Sequence, residues 1–243
     1  RYSTLLNNLA GLMTAKGNHD QAIRYYQMAY RIRAEIYTEK SLECALIMNN
    51  EGVALGNAGR YNEAINMILR ARRITEDLLG KFHPDWFDQA MNLGVVYDQA
   101  GMYRQADELY QKTLGEAEKE LGKNSITYLN LVNNAAEYYL RRGEFDKSNQ
   151  YFGILLPQMN EMTEDFQLVV KGNYANFLNG IGKWEEAGPM YQQVAQGWEK
   201  LRGKESEDYL LARHNMAVYL QDLGQFTEAK NMLEQTRKVL LEV

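Results

Sequence analysis

Apolar residues recur along this chain at spacings of three, four and seven positions, which is the period of an amphipathic helix. In residues 87–100 this stripe consists of Ala90, Leu93, Gly94 and Tyr97. A second stripe begins near Tyr103, continues to about Leu121, and carries Ala106, Leu109, Tyr110 and Leu114. The strict alternation of apolar and polar residues that marks a strand is absent, so the pattern predicts an all-α fold.

The same two-helix pattern returns with a period of 42 residues, shortened once to 39, and each copy has a glycine between its two helices. These glycines are Gly17, Gly59, Gly101, Gly143, Gly182 and Gly224. Glycine accepts a left-handed backbone without a Cβ clash and therefore ends a helix well. A fixed period of this length indicates a solenoid of stacked units rather than a domain with one central core.

We interpret residues 1–243 as a single array of about six units. Their approximate limits are 3–44, 45–86, 87–128, 129–167, 168–209 and 210–243. The fourth unit is three residues shorter than the others, near Pro157, and we expect its second helix to be short. The chain begins with Arg1 and stops where another linker would be expected, so we read it as an excerpt of a longer chain.

Four further positions are repeated with the glycines. Small residues stand seven before and five after each glycine, where we expect paired helices to cross closely; they are Ala10, Gly52, Gly94, Ala136, Ala175 and Ala217, then Ala22, Ala64, Ala106, Ser148, Ala187 and Ala229. An aromatic or histidine ring stands two positions after each glycine, and we expect it to fill the space beside the turn. These rings are His19, Tyr61, Tyr103, Phe145, Trp184 and Phe226.

An asparagine stands nine positions before each glycine. We call this set the asparagine ladder; it consists of Asn8, Asn50, Asn92, Asn134, Asn173 and Asn215.

Composition and charge argue against several functions. The net charge is −5 without a basic stripe, so we expect no nucleic-acid partner. No apolar run approaches the roughly 18 residues of a membrane span, so we expect no membrane partner. Neither the single cysteine, Cys44, nor the three histidines have metal-ligand spacing. No phosphate loop, nucleophile elbow or dinucleotide fingerprint is found, so we expect no catalytic residues and no cofactor.

The pattern resembles the tetratricopeptide repeat, in which leucine-glycine is followed by tyrosine, alanine and an aromatic residue. Leu93-Gly94, Tyr97, Ala106 and Tyr110 match it, whereas Ala90 stands where the family has tryptophan. The 42-residue period and the stretch Leu79–Asp85 are similar to the repeats of kinesin light chains and of bacterial tandem-repeat proteins. The resemblance implies a right-handed superhelical solenoid of antiparallel helix pairs, with the first helices lining a concave groove that binds peptides.

The resemblance also implies a role for the asparagine ladder. The ladder lies two residues before the small crossing residue, about 200° around the first helix, and therefore points toward the groove. An asparagine amide can both donate to and accept from a peptide backbone. The predicted peptide-binding residues are the six ladder asparagines together with Asn49, Asn133, Glu137, Asn176 and His214. The alternative is that each asparagine bonds the backbone of the neighbouring repeat and only fixes the stacking, and both roles can coexist.

Selectivity should come from the other residues of the inner wall, where Asp88, Asp98, Glu137 and Asp222 outnumber Arg141. We therefore expect a non-catalytic scaffold for a protein or peptide partner, with a neutral or basic extended segment favoured. A regulatory or sensor module of a larger enzyme or signalling protein is the alternative, and terminal repeats could self-associate. The lone cysteine favours a reducing compartment, and we expect a cytoplasmic protein.

Overall fold

The computed structural model describes residues 1–242, with the side chains of residues 1–239, and this part of the chain consists of helices and short connections. The α-helices are α1 (Tyr2–Ala15), α2 (His19–Tyr37), α3 (Leu42–Asn57), α4 (Tyr61–Leu79), α5 (Pro84–Gln99), α6 (Tyr103–Leu121), α7 (Ile126–Arg141), α8 (Phe145–Leu155), α9 (Glu164–Gly180), α10 (Trp184–Arg202), α11 (Glu207–Asp222) and α12 (Phe226–Glu242). The predicted all-α fold is confirmed. Within residues 1–242, no helix is both long and apolar enough to cross a bilayer.

The turn between paired helices has one hydrogen-bond pattern in every unit. At Gly101 the backbone φ is +73°, and the amides of Gly101 and Met102 donate to the carbonyls of Asp98 and Tyr97. These bonds satisfy carbonyl groups that the end of a helix leaves without partners. The predicted use of glycine as the turn residue is confirmed.

Most first helices begin at a polar cap. The side chains of Ser41, Ser125, Thr163 and Ser206 each accept a hydrogen bond from the backbone amide three residues later. In α5 the Nδ1 atom of His83 takes this role and accepts from the amide of Asp85 at 3.3 Å. These caps accept hydrogen bonds from backbone amides that have no partner within the first turn of a helix. They therefore set where the first helix of a pair begins.

The small residues lie where paired helices cross, as predicted. All twelve are buried, and a Cβ atom added to Gly94 would stand 2.9 Å from the ring of Tyr110 on α6. In the fourth pair, Ser148 on α8 donates through its hydroxyl to the backbone carbonyl of Ala136 on α7 at 2.9 Å. Close helix contact therefore requires small residues at these positions.

The prediction for the ring positions is wrong at four of the six. Each ring residue is the first residue of the second helix of its pair, and Tyr103, Phe145, Trp184 and Phe226 are exposed. A side chain on the first turn of a helix projects over the end of the pair, where little protein covers it. Tyr61, in contrast, is partly buried and packs against the core of the first unit. At the four exposed positions the ring marks the helix start and is not a buried plug.

The fourth pair differs from the others as the sequence indicates. Helix α8 has 11 residues and is followed by a 3₁₀ helix, Leu156–Glu161, with Pro157 in its first turn. Proline lacks an amide hydrogen, so Pro157 cannot donate the next α-helical hydrogen bond, which accounts for the early end of the α-helix.

The chain divides into two compact units, Arg1–Leu131 and Val132–Val243. In the first unit, Leu6, Tyr26, Ile47, Leu55 and Ile68 belong to one continuous apolar core. In the second unit, a cluster on α9, α10 and α11 forms part of the core; it contains Leu168, Val194, Trp198, Tyr209, Leu210 and Ala212. In both units, buried apolar residues pack one side of the first helices against the core. The opposite side of these helices is not used in that packing.

Candidate functional site

All six ladder asparagines lie on the first helices of their pairs, in α1, α3, α5, α7, α9 and α11. Asn8 and Asn134 are exposed. Asn50, Asn92, Asn173 and Asn215 are partly buried. The small residue two positions later is buried at the crossing in each case, so the ladder lies on the side of the helix away from its partner helix.

Three ladder asparagines are joined to the preceding repeat. The Nδ2 groups of Asn50 and Asn92 donate to the Oδ1 atoms of Asn7 and Asn49, at 3.4 and 3.2 Å. Within the second unit, Asn173 donates in the same way to Asn133 at 3.2 Å. The acceptor is always the asparagine one position before the ladder. Neighbouring repeats are therefore joined by bonds between asparagine side chains, whereas the alternative drawn from the sequence had the asparagines bond the backbone of the neighbouring repeat.

The inter-repeat bonds leave part of each amide available. An asparagine side chain has two N–H hydrogens and an oxygen with two lone pairs, and the bond to the preceding repeat uses one hydrogen. At the fifth repeat the accepting position is Gly172, which has no side chain for Asn215 on α11 to reach. Inter-repeat bonding and contact with a guest are thus compatible in a single side chain.

The two other asparagines of the predicted site, Asn49 and Asn133, are buried. Asn49 also donates weakly to Asn50 within its own helix, at 3.5 Å. Their oxygens hold the ladder residue of the next repeat, which stiffens the ladder without presenting a second row of amides. Their direct contact with a guest stays a prediction.

The remaining predicted site residues have different surroundings. Glu137 accepts from Arg141 one turn later at 2.7 Å, so this carboxylate is already paired. Asn176 accepts from the hydroxyl of Tyr191 on α10 at 2.8 Å. Burial raises the pKa of the Tyr191 phenol, so it stays a donor at neutral pH. His214 is exposed on α11, one position before Asn215.

A second set of polar bonds joins first helices near their ends. Gln99 donates to Asn57 at 3.2 Å, and both residues stand seven positions after their ladder asparagine. In the second unit, Asn179 donates to the carboxylate of Asp222 at 2.6 Å. Helices α3 and α5 are therefore linked at two points, at Asn92–Asn49 and at Gln99–Asn57, which limits how far their ladder positions can shift against each other.

Exposed apolar side chains stand one helical turn before the ladder. Leu46, Val169 and Leu211 are 56%, 38% and 58% exposed and each lies four positions before a ladder asparagine. Residues four apart on a helix share a face, so these side chains stand beside Asn50, Asn173 and Asn215. None of the three is among the residues predicted from the sequence, although their fixed offset from the ladder was a signal that could have found them.

A small cavity of about 100 Å³ lies next to the ladder between α3, α4 and α5. Its lining includes Leu46, Asn49, Asp85, Asp88 and Gln89. Burial raises the pKa of the Asp88 carboxyl, the neighbouring Asp85 carboxylate raises it further, and His83 acts in the opposite direction. Asp88 stands four positions before Asn92, the same offset as Leu46 from Asn50.

Three arginines, Arg70, Arg72 and Arg73, form a basic cluster on α4. Arg70 donates to Glu39 and to the hydroxyl of Tyr30, while Arg72 stacks 3.6 Å from the ring centroid of Trp86. Arg73 lines a cavity of about 670 Å³ beside the α2–α3 connection. These arginines are on the second helix of the pair and not on the ladder helix.

The candidate reactive residues have structural surroundings. Cys44 is buried, and its Sγ donates to the carbonyl of Thr38 at 3.3 Å. His83 caps α5, and His19 begins α2. Across the described residues, no three His, Cys, Asp or Glu side chains are grouped closely enough to hold a metal ion.

Comparison with protein families identifies the repeats. The description tetratricopeptide repeat applies to both matching family models, one matching residues 1–85 and 166–242 and the other residues 90–125. The chain therefore belongs to the tetratricopeptide-repeat family. Comparison with curated proteins found no match.

Solved structures with the same fold include TPR-like repeats of the kinesin-light-chain type from Podosopora anserina, with 21% identity and a TM-score of 0.60, covering 80% of this chain and 93% of that one. BtubC (BKLC) from P. vanneervenii has 15% identity and a TM-score of 0.64, covering 96% and 91%. NprR in complex with its cognate peptide NprX has 14% identity and a TM-score of 0.61, covering 96% and 66%. At these identities the similarity concerns the fold.

Proposed function

We propose that this chain is a binding scaffold that holds an extended segment of a protein partner along its first helices, through the asparagine ladder. The observation that carries the proposal is the bonding of Asn50, Asn92 and Asn173 to the preceding repeat. These bonds limit the rotation of three amides before a guest arrives, so less side-chain entropy is lost on binding. The spare hydrogen and oxygen of each amide match the two polar groups of a peptide unit.

The exposed apolar residues supply the second part of the proposal. Leu46 in the first unit, and Val169 and Leu211 in the second, stand one turn from the ladder of their own unit. In each unit they can contact side chains of an extended segment while the amides hold its backbone. NprR, which shares the fold, is known in complex with a peptide. That similarity supports a peptide or protein partner for this chain. The proposal is for binding without catalysis.

The same proposal favours neutral or basic segments. Asp88 is next to the ladder in the first unit, and Asp222 ends α11 in the second. A basic segment would be attracted to such carboxylates, and the attraction should weaken as salt screens it. A cytoplasmic location belongs to the same proposal, because Cys44 is a free thiol.

Self-association is the remaining part of the proposal. Helix α1 exposes Tyr2, Leu5 and Leu12, and an apolar surface of this kind is suited to pairing with another copy. Sedimentation or light scattering over a range of protein concentrations tests it. A mass that stays that of one chain at all concentrations contradicts it.

The ladder is tested with a library of random eight-residue peptides that are acetylated and amidated at their ends. Asn8→Ala and Asn134→Ala change exposed ladder residues, and Asn62→Ala and Asn149→Ala are matched controls on exposed positions of second helices. Each ladder variant should lose about 0.5–1.5 kcal/mol of binding per lost hydrogen bond, or about two- to tenfold in affinity, for the peptides that contact that repeat. The controls should keep wild-type affinity.

Peptides with N-methylated backbones separate backbone clamping from side-chain recognition. If ladder amides accept from backbone N–H groups, methylation at those positions should reduce binding to wild type but have little further effect on the ladder variant. Equal losses in ladder and control variants, or no captured peptide at all, would contradict the proposed function.

A further inference from the structure

Gln89 lines the small cavity beside the ladder, and one side of its amide has no hydrogen-bond partner. The side chain is 4% exposed, and its Nε2 donates to the hydroxyl of Thr75 at 2.8 Å. The Oε1 atom on the other side of the same amide is buried and has no hydrogen-bond partner. Buried acceptors are almost always paired, so an oxygen left in this state points to a donor that is supplied from outside the chain.

Two carboxylates line the same cavity. Asp85 and Asp88 stand three positions apart on α5 and so share one face of that helix. Asp85 is 3.7 Å from the ring nitrogen of His83, while Asp88 is on the side of the ladder. The cavity therefore combines negative charge with a neutral oxygen acceptor.

The size of the cavity restricts what can enter. Its volume of about 100 Å³ suits the end of one side chain and excludes a folded element. Leu46 also lines it and offers an apolar surface to the methylene groups of a long side chain. Two carboxylates and an amide oxygen all accept hydrogen bonds, so the donor groups and positive charge of an organic cation suit this lining.

We propose that this cavity, the cation pocket, receives the ammonium or guanidinium group of a lysine or arginine from the segment bound along the ladder. This inference rests on the proposed function for the remainder of that segment. The cationic group donates to the oxygen of Gln89 and pairs with Asp88, while its methylene groups contact Leu46. Asn92 lies one turn from Asp88, so a lysine or arginine in the pocket sets the register of the segment on the ladder.

The pocket is tested in the whole chain with small probes that do not depend on the ladder. N-acetyl-lysine and N-acetyl-arginine N-methylamides are added at millimolar concentrations, with the norleucine and citrulline analogues as uncharged controls. The readout is the NMR signal of the Gln89 side-chain amide. A saturable shift is expected for a cationic probe and should be at least about tenfold weaker for its uncharged analogue.

Asp88→Asn retains the shape of the side chain and removes its charge. It should weaken the cationic probe about tenfold, whereas Glu35→Gln, an exposed carboxylate on α2 outside the pocket, should leave the affinity unchanged. In the random peptide library, wild type should select lysine or arginine at one position of the captured peptides. That selection should disappear in Asp88→Asn and persist in Glu35→Gln.

The outcomes separate the two proposals. If the Gln89 signal does not respond to either cationic probe, or responds equally to the uncharged ones, the cation pocket is wrong even when peptides bind the ladder. If the cationic probes bind through Asp88 but no peptide is captured, the pocket stands and the proposed function fails. Peptides captured equally by wild type and Asp88→Asn, without basic selection, would overturn the pocket as a specificity site.

Discussion

The side-chain amide of Asn92 on α5 donates a 3.2 Å hydrogen bond to the side-chain oxygen of Asn49 on α3. Asn49 is buried, and the two helices belong to successive repeats. An asparagine that contacted only a guest peptide could be replaced without affecting the fold. Asn92 differs, because its removal leaves a buried oxygen without a partner.

We predict that Asn92→Ala destabilises the chain by about 1–3 kcal/mol, because the Asn49 oxygen loses its donor. Asn134→Ala, at an exposed ladder position, should change stability by less than about 0.5 kcal/mol. Urea denaturation measures both. In a double-mutant cycle, Asn49→Ala and Asn92→Ala should be less than additive. Strict additivity of the two changes would argue against the bond.

Gly94 and Gly115 offer a matched pair of glycine substitutions in one helix pair. Gly94→Ala should cost about 1–3 kcal/mol, because the new Cβ would stand 2.9 Å from the Tyr110 ring. Gly115 is exposed inside α6 and has no atom within 4 Å of an added Cβ, so Gly115→Ala should stabilise by about 0.5–1 kcal/mol. Thermal melts of the two variants should shift in opposite directions; shifts in the same direction would refute the crossing argument.

Thr38 occupies a backbone conformation that suits glycine. Its φ and ψ are 102° and 156°, and the residues at the same place after α4, α6 and α10 are Gly80, Gly122 and Gly203. Such a conformation costs a non-glycine residue about 1–3 kcal/mol. Thr38→Gly should therefore raise the melting temperature, although the greater freedom of glycine in the unfolded chain offsets part of the gain. Thr38→Ala is the control, since alanine retains the strain and should give no comparable rise.

Glu51 should make the chain less stable as pH rises. Burial raises the pKa of its carboxyl, and the hydrogen bond from Gln27 opposes the rise only in part. The folded protein therefore holds the proton at pH values where the unfolded chain has lost it. The stabilising contribution is present below the unfolded pKa and is lost as pH rises through the folded pKa.

Glu51→Gln removes this dependence and keeps an oxygen that can accept from Gln27. We expect the variant to be more stable than wild type at pH 7 by about 1 kcal/mol, or about 2–4 °C, and to converge with it at acidic pH. Denaturation of both proteins at several pH values measures the difference. A constant difference across that range would show that Glu51 does not titrate in this way.

The turns and crossings of the fold could be predicted because local chemistry determines them. Gly101 ends a helix in any context that needs a left-handed residue, and Gly94 recurs where two backbones must approach. The ring at Tyr103 shows the limit of the same reasoning. Its spacing was regular, but its burial depends on what covers the end of the helix pair, and the spacing of residues within one repeat contains no such information.

The candidate site also combines features that the sequence predicts with contacts that depend on the tertiary structure. The sequence by itself determined the all-α repeat, the turns, and the location of the six asparagines on first helices, because helix period and glycine geometry are local properties. Only the tertiary structure decided that Asn92 bonds to Asn49, and that Gln89 leaves an unpaired oxygen beside Asp88. Those contacts join residues that are distant in sequence or buried together, and they depend on how one repeat packs against the next.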